Sequence, residues 1–525
     1  MFSLKPMNIS KQLYETANKY GNREAIYFEG IRLTYRELNE QVSMLAKGLK
    51  ANGIKRGEHI GVSLQNSIQF IVAYYAIARI GAAFVPVNPY FKEKEAEQVI
   101  NQSDVTVLFC DAARQYQKIC AKINDFKLKI AVGFTAPGFK SFEDFLLGVD
   151  EDEVVHEPPK NDLAAIMYTS GTTGQPKGAM LTHKNLLSST MEAGHRMQVT
   201  EEDVFIIPSP LFHIFGVTFI LRALISGGKL VLMRKYSVTN TLKLIEQEKV
   251  TVHPGVPTMF NLELNSPDID KYDLSSLRIA GEVAAAPSSI ELINQIRTKM
   301  NCDVLIAYGM TETSATVTIT SLEDSDEIRA KTVGKTIRGT EIKIVDEAKN
   351  ECGCGEVGEI VCRGPGVTRG YYKMPEETEK VIDAEGWFYT GDLAAKDESG
   401  YIKVVGRKSD TVISGGFNVY PKELEGALHE YDGIADAAIV GIPDPLLGEA
   451  VVACIVKQND ADLHVSELEE YMKKHFVKYK LPKYYLFLEE LPVMPSGKIS
   501  KQKLKEIAEE KWLASETPSK MGNYS

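Results

Sequence analysis

The sequence predicts an α/β fold built in parallel layers, followed by a smaller β-rich unit and a separate small α+β domain at the C-terminal end. Three observations predict it. Strand-like and helix-like runs alternate from residue 25 to 110 and again from 204 to 306, the pattern of parallel αβ layers. From about residue 333 the chain changes to short apolar runs separated by glycine turns, a β-rich texture. After Arg407 helical and strand-like runs mix again in a compact tail.

The elements follow in order. A short strand is predicted at 25–28. Thr34 and Glu37 have the spacing of a capping box, and the helix behind them places Leu38, Val42, Leu45, Ala46 and Leu49 on one face. Gly53 stops it. Strands are predicted at 60–64, 82–87 and 105–110, with a helix at 67–80. Later strands fall at 164–167, 204–208, 229–233 and 304–306, and helices at 215–225, 238–246 and 288–300. The β-rich stretch has strands at 341–345, 358–362, 386–389 and 401–405. The tail has helices at 421–429, 465–476 and 501–512 and strands at 437–442 and 450–457. There is no internal repeat.

The chain has 525 residues, 44% hydrophobic and 25% charged, with a formal net charge of −11. That length requires several compact units. An acidic balance argues against nucleic-acid binding, which needs a basic face. It also means that a polyanionic ligand must be held by a local site. No secretory signal is read at the N-terminus. The most apolar stretch, 71–87, contains Arg79 and Pro86 and is too short for a bilayer span, so it reads as a buried helix and strand. Seven cysteines fit a reducing compartment, and a cytoplasmic protein is expected. Cys352, Cys354 and Cys362 lack a fourth ligand nearby and read as part of a turn between strands, not as a metal site.

Five runs carry chemistry. The first is Tyr168-Thr169-Ser170-Gly171-Thr172-Thr173-Gly174-Gln175-Pro176-Lys177-Gly178. Its glycines permit positive φ, so successive N–H groups can form a nest for phosphate oxygens. The hydroxyls add donors and Lys177 adds charge, while Thr182 is placed to cap the next helix. It is not a Walker loop, because no Lys-Ser or Lys-Thr pair ends it. The second is Ala307-Tyr308-Gly309-Met310-Thr311-Glu312, with a carboxylate just beyond a strand end, where α/β sheets hold ligands. Mg²⁺ takes oxygen ligands, commonly one or two carboxylates plus phosphates. The third, Trp387-Phe388-Tyr389-Thr390-Gly391-Asp392, offers a carboxylate that only accepts hydrogen bonds, which suits ribose hydroxyls. The fourth is Gly406-Arg407-Lys408-Ser409-Asp410, followed by Ser414-Gly415-Gly416-Phe417. The fifth is Pro495-Ser496-Gly497-Lys498.

The first run resembles the phosphate loop of the adenylate-forming superfamily: acyl- and aryl-CoA synthetases, peptide-synthetase adenylation domains and luciferases. The other runs follow in that superfamily's order, so the resemblance spans nearly the whole chain. It implies a large N-terminal domain of stacked αβ subdomains over 1–408, with a β-rich subdomain at about 333–408. A small mobile α+β domain over 409–525 completes it. The resemblance also assigns roles. Thr169 to Gly174 and Lys177 hold phosphates. Tyr308 stacks near adenine, Gly309 belongs to the same run, and Thr311 contacts the α-phosphate. Glu312 binds Mg²⁺, and Asp392 and Arg407 hold ribose. Ser409 stands at the hinge, where the superfamily usually has Asp or Lys, a departure that puts salt-linked control of the hinge in question. Gly415, Gly416 and Phe417 form the passage for a thiol's pantetheine arm. Lys498 is the catalytic lysine that stabilises charge at the α-phosphorus. The run around His213 resembles an acyl-pocket entrance, with His213 beside the acid's carboxylate or gating access and counted with Lys498 and Glu312 as catalytic, and 281–287 fits the adenine-contact run loosely.

The reaction implied is ATP-dependent ligation of a carboxylic acid to CoA through an acyl-adenylate, with ATP, Mg²⁺ and CoA required. Apolar residues at 212–217 favour a medium- or long-chain fatty acid. An aryl acid of the cinnamate or benzoate type, a carrier-protein thiol acceptor, and a non-catalytic adenylate binder stay open. The joint presence of Lys177, Glu312, Asp392, Arg407 and Lys498 speaks against the last. Transient membrane contact, and a monomer or homodimer, are compatible with the sequence.

Overall fold

A computed structural model describes residues 8–111, 119, 126–146, 158–170, 176–284, 289–458, 461–493 and 499–514. Two compact units emerge. One holds Met1–Ile342 with Cys362–Phe388, the other Lys343–Val361 with Tyr389–Ser525. The expected boundary at Ser409 falls inside the second unit.

The first unit is built on two large sheets. One has nine strands, in the order 335–336, 318–319, 303–308, 279–284, 252–254, 204–207, 229–232, 24–28, 31–34. Its pairings from strand Glu24–Phe28 to strand Asp303–Tyr308 are parallel. The other has seven strands, in the order 140–141, 128–131, 105–110, 59–63, 83–86, 163–170, 176–182. It is parallel except for its last hairpin. Helices Ile9–Tyr20, Tyr35–Ala51, Ile68–Arg79 and Ile214–Ser226 join both sheets in one apolar core.

The expected capping box is present. Thr34 accepts from Glu37 N–H, and Glu37 reaches back to Thr34 N–H. The predicted apolar face of that helix is buried. Helix Ile68–Arg79 is capped by Ser67 and buried apart from Gln69, as expected of the stretch that is too short to span a bilayer. Its Arg79 is accommodated by hydrogen bonds to Ser10 Oγ (3.0 Å), Ser43 Oγ (2.6 Å) and Asn39 Oδ1 (2.7 Å). Among the described residues no helix is long and apolar enough to cross a membrane.

Several boundaries differ from the sequence expectation. The strand expected at 164–167 runs Leu163–Ser170, because it pairs along its length with Pro176–Thr182. The strand expected at 386–389 starts at Phe388 and continues to Lys396. Gly386 takes φ +81°, and Asp383 accepts from Trp387 N–H at 2.9 Å, so a turn occupies those positions. Strands Ile31–Thr34, Val252–Pro254 and Ile279–Ala284 had no sequence prediction; the first closes a tight hairpin with Glu24–Phe28, and the other two depend on neighbours distant in the chain.

The second unit carries most of a four-stranded sheet, 341–345, 358–363, 388–396, 402–407, and a five-stranded sheet. Strand Ile434–Asp444 of the latter shows two-residue alternation. Ala437 and Ile439 pack with helices Pro421–His429 and Val465–His475, whereas Ala438, Val440 and Ile442 pack with helix Lys501–Ala514.

His183 begins helix His183–Arg196, fully buried, and its Nδ1 accepts from Ile9 N–H at 3.4 Å. Burial keeps the imidazole neutral and lowers its pKa from 6.5 to about 4, against a weaker opposing pull from Asp162. Below pH 6.5 the unfolded chain therefore binds a proton that the folded chain refuses. Stability from this group is present above that pH and is lost as pH falls toward 4. At pH 5 the loss is about 2 kcal/mol. His183→Asn is expected to flatten the fall in Tm between pH 7 and pH 5. An unchanged pH slope would show that His183 does not drive it.

Candidate active site

The site in the first unit starts with the hairpin Leu163–Ser170/Pro176–Thr182. Its register sets Thr169 opposite Lys177 and Tyr168 opposite Gly178. Thr182 caps the following helix as expected, accepting from Asn185 N–H. Ser170 is placed as backbone only, and Gly171, Thr172, Thr173 and Gly174 lie outside the described residues.

Glu312 comes from the turn Thr311–Thr313 beyond the end of strand Asp303–Tyr308. Tyr308, Thr311 and Glu312 are all buried. Ser314 (φ +57°) and Ala315 (φ +80°) bend the chain sharply there. Gly309 must lack a side chain: a Cβ would stand 1.7 Å from Ala315 O. The strained turn is held from outside. Ser189 Oγ donates to Thr316 O (2.9 Å), and Ser314 Oγ donates to Gly366 O (2.8 Å). Such strain persists only where the surroundings over-determine it.

A strap over 365–377 ties this turn to the hairpin. Asn185 Nδ2 donates to Pro365 O (2.7 Å) and Val367 O (2.8 Å). Thr368 N–H donates to Glu312 O (2.7 Å), and Thr368 Oγ1 donates to Met180 O (2.8 Å). The strap delivers Tyr371. Its hydroxyl donates to Glu312 Oε1 at 3.0 Å, and Thr169 Oγ1 is 3.5 Å from the same oxygen. Burial, and then the neighbouring Glu312 charge, push the phenol well above its ordinary range, so it stays a donor. On its ring face, 5.3 Å from the centroid, sits Lys177 Nζ. Lys177 also pairs with Glu377 Oε2 at 2.5 Å.

Thus Thr169 and the Tyr371 hydroxyl meet the same Glu312 oxygen, and Lys177 sits on the Tyr371 ring, although 143 and 59 positions separate Glu312 from Thr169 and Tyr371. Tyr371 and Glu377 escaped the sequence reading. Their only signal is a Gly-Tyr-Tyr run followed by Pro-Glu-Glu-Thr, which carries no indication of its distant partners. Glu312 offers a buried carboxylate beside the Thr169 hydroxyl, an all-oxygen donor set of the kind Mg²⁺ shares with phosphates and water. Among the described residues no three His, Cys, Asp or Glu side chains group as a complete metal cage.

His213 is exposed and is the N-cap of helix Ile214–Ser226, its Nδ1 accepting from Phe215 N–H at 3.4 Å. Two sets of aromatic contacts flank it in sequence: Phe212 meets Tyr90, and Phe215, Phe219 and Phe205 touch in series. Of the loosely fitting run 281–287, the strand Ile279–Ala284 includes its first residues, and 285–287 lie outside the described residues.

In the second unit Asp392 and Arg407 face each other across antiparallel strands, with Arg407 Nε 3.3 Å from Asp392 Oδ1. Glu359 accepts from Gly391 N–H (3.0 Å) and pairs with Lys408 (3.3 Å). Ser409 lies in the short turn Lys408–Asp410 and donates to Asp410 Oδ1 at 3.0 Å. Gly415 (φ +59°) and Gly416 (φ +81°) make the tight turn of hairpin Val412–Ser414/Phe417–Val419. Phe417 is 55% exposed and stacks on Tyr479 at 4.6 Å. Lys498 lies outside the described residues.

These features define a class. The family description "AMP-binding enzyme" matches residues 13–372, and "AMP-binding enzyme C-terminal domain" matches 423–498. The chain belongs to the AMP-binding enzyme family, the adenylate-forming superfamily, among its acyl-CoA synthetases and ligases. It is 34% identical to a methyl-dioxo-octahydroindenyl-propanoyl:CoA ligase of Rhodococcus jostii (strain RHA1), covering 95% of this chain and 99% of that one. It is 32% identical to the mitochondrial medium-chain acyl-CoA ligase ACSF2 of Mus musculus, covering 96% and 88%. Its fold superposes on ATP-bound MatB from Rhodopseudomonas palustris with a TM-score of 0.88 at 30% identity, covering 96% and 100%.

Proposed function

We propose that this protein is an ATP-dependent acid–CoA ligase acting on a medium- or long-chain fatty acid. The observation that carries the reading is the cluster in which Tyr371 and Thr169 both meet Glu312 Oε1 while Lys177 sits on the Tyr371 ring. It gathers a hydroxyl, an ammonium and a carboxylate at the exit of a phosphate-nest hairpin. Lys177 and the hairpin loop hold the triphosphate of ATP. Glu312 holds Mg²⁺, which when bound offsets phosphate charge. Tyr371 keeps the Glu312 carboxylate aimed by donating to one of its oxygens. Tyr308 and Thr311 line the nucleotide, and Asp392 accepts from ribose hydroxyls, with Arg407 beside it.

The acid's carboxylate attacks the α-phosphorus, the bond to the bridging oxygen breaks, and pyrophosphate leaves. Lys498 stabilises the charge on the nonbridging oxygens. The domain over 409–525 then turns about Ser409 relative to 1–408, and Gly415, Gly416 and Phe417 border the path of the CoA thiol. The thiol attacks the acyl carbon and AMP departs. The aromatic pair Tyr90 and Phe212 and the series Phe215, Phe219, Phe205 on either side of His213 in sequence support an apolar acyl chain, as does the likeness to a medium-chain ligase. His213 stands at the entrance to that chain's pocket. A cytoplasmic location and transient contact with a fatty-acid-bearing membrane belong to the same reading.

The test is pyrophosphate release with Mg·ATP over a panel of fatty, aryl and amino acids, with and without CoA. CoA-dependent turnover is expected, highest on C8–C16 fatty acids. Preference for an aryl acid overturns the substrate assignment. Adenylation that does not respond to CoA points to a carrier-protein thiol.

A further inference from the structure

The pairing of Lys177 has a second cation built into it. Lys177 Nζ lies 2.5 Å from Glu377 Oε2, with the lysine only 13% exposed. The other oxygen of the same carboxylate, Oε1, accepts from Lys380, three positions along the short helix Pro375–Val381. Lys380 is a surface residue. Breaking an ion pair costs most when it strands one charge away from water. Here it would not, because Glu377 keeps Lys380 when Lys177 departs. An ammonium has three N–H donors and no acceptor, so phosphate oxygens can offer Lys177 more charge-assisted bonds than a single carboxylate oxygen does. The Tyr371 ring beneath Lys177 is held by Glu312, so one tyrosine links the ammonium to the carboxylate assigned to the metal.

Building on the reading of Lys177 as a polyphosphate-binding cation, we propose that Glu377 is a positioning residue that parks Lys177 between turnovers. It gives Lys177 up to the incoming triphosphate and takes it back when pyrophosphate leaves, and Lys380 neutralises the vacated carboxylate in between.

The signs of the effects distinguish this from a structural salt bridge. By calorimetry on the full chain, Glu377→Gln is expected to bind ATP and pyrophosphate roughly three- to tenfold more tightly, because a competitor for Lys177 is gone. KM for ATP falls, and kcat falls with it as pyrophosphate release slows. Lys380→Ala, a surface change that leaves the core intact, is expected to weaken ATP binding about two- to threefold, since release of Lys177 would then strand Glu377. In a Lys177→Ala background, Glu377→Gln should have no effect on ATP affinity. If Glu377→Gln weakens ATP binding or leaves it unchanged, or acts equally with and without Lys177, the proposal is overturned. If Lys177→Ala by itself binds ATP like the parent protein, it is the reading of Lys177 that fails. Thermal melts of each variant identify any loss of folding.

Discussion

Glu312→Gln is expected to lower acyl-adenylate formation roughly 10²–10³-fold, the scale of losing one preorganised electrostatic partner of the transition state, while leaving the fold intact. The substitution is nearly isosteric. A glutamine Oε1 still accepts from Tyr371, whose hydroxyl is 3.0 Å away, so the buried phenol keeps its partner and Tm should move little. The backbone bond from Thr368 N–H to residue 312 O does not involve the side chain. What disappears is one negative charge in a largely buried site, and with it the proposed ligand for Mg²⁺. The measurement is acid-dependent exchange between pyrophosphate and ATP across a Mg²⁺ titration. A variant within tenfold of the parent at every Mg²⁺ concentration would remove Glu312 from the metal site.

Lys498→Ala should cost a similar factor, roughly 10²–10³-fold, but in only one of the two half-reactions. Its ammonium is assigned to the nonbridging oxygens of the α-phosphate, where charge builds only during adenylation. Thioester formation from supplied acyl-adenylate should therefore proceed at nearly the parental rate. Equal losses in both half-reactions would sink that assignment and point to a general role for the C-terminal segment.

The contrast between these residues follows how protein information is distributed along a chain. Helix starts were legible because capping is local: Thr34 with Glu37, and Thr182 before its helix, satisfy backbone donors within one turn. The strongly apolar stretch from residue 71 was legible as a buried helix, and the structure supplies the polar partners of its Arg79. That Tyr168, Thr169 and Ser170 continue a strand was not legible, because the ladder with 176–182 holds them extended. The short strands Val252–Pro254 and Ile279–Ala284 are likewise set by parallel neighbours far along the chain.

By itself, then, the sequence determined the alternating α/β architecture and the order of the five chemical runs, since these depend on residue type and short-range spacing, and the resemblance of those runs to the adenylate-forming superfamily implied the class of reaction. Only the tertiary structure decided which side chains meet. Tyr371 reaches Glu312 and Glu377 reaches Lys177 because the 365–377 strap is bound to both the hairpin and the Glu312 turn. Contacts over such separations are fixed by where whole sheets and straps pack, and no periodicity or local propensity encodes that.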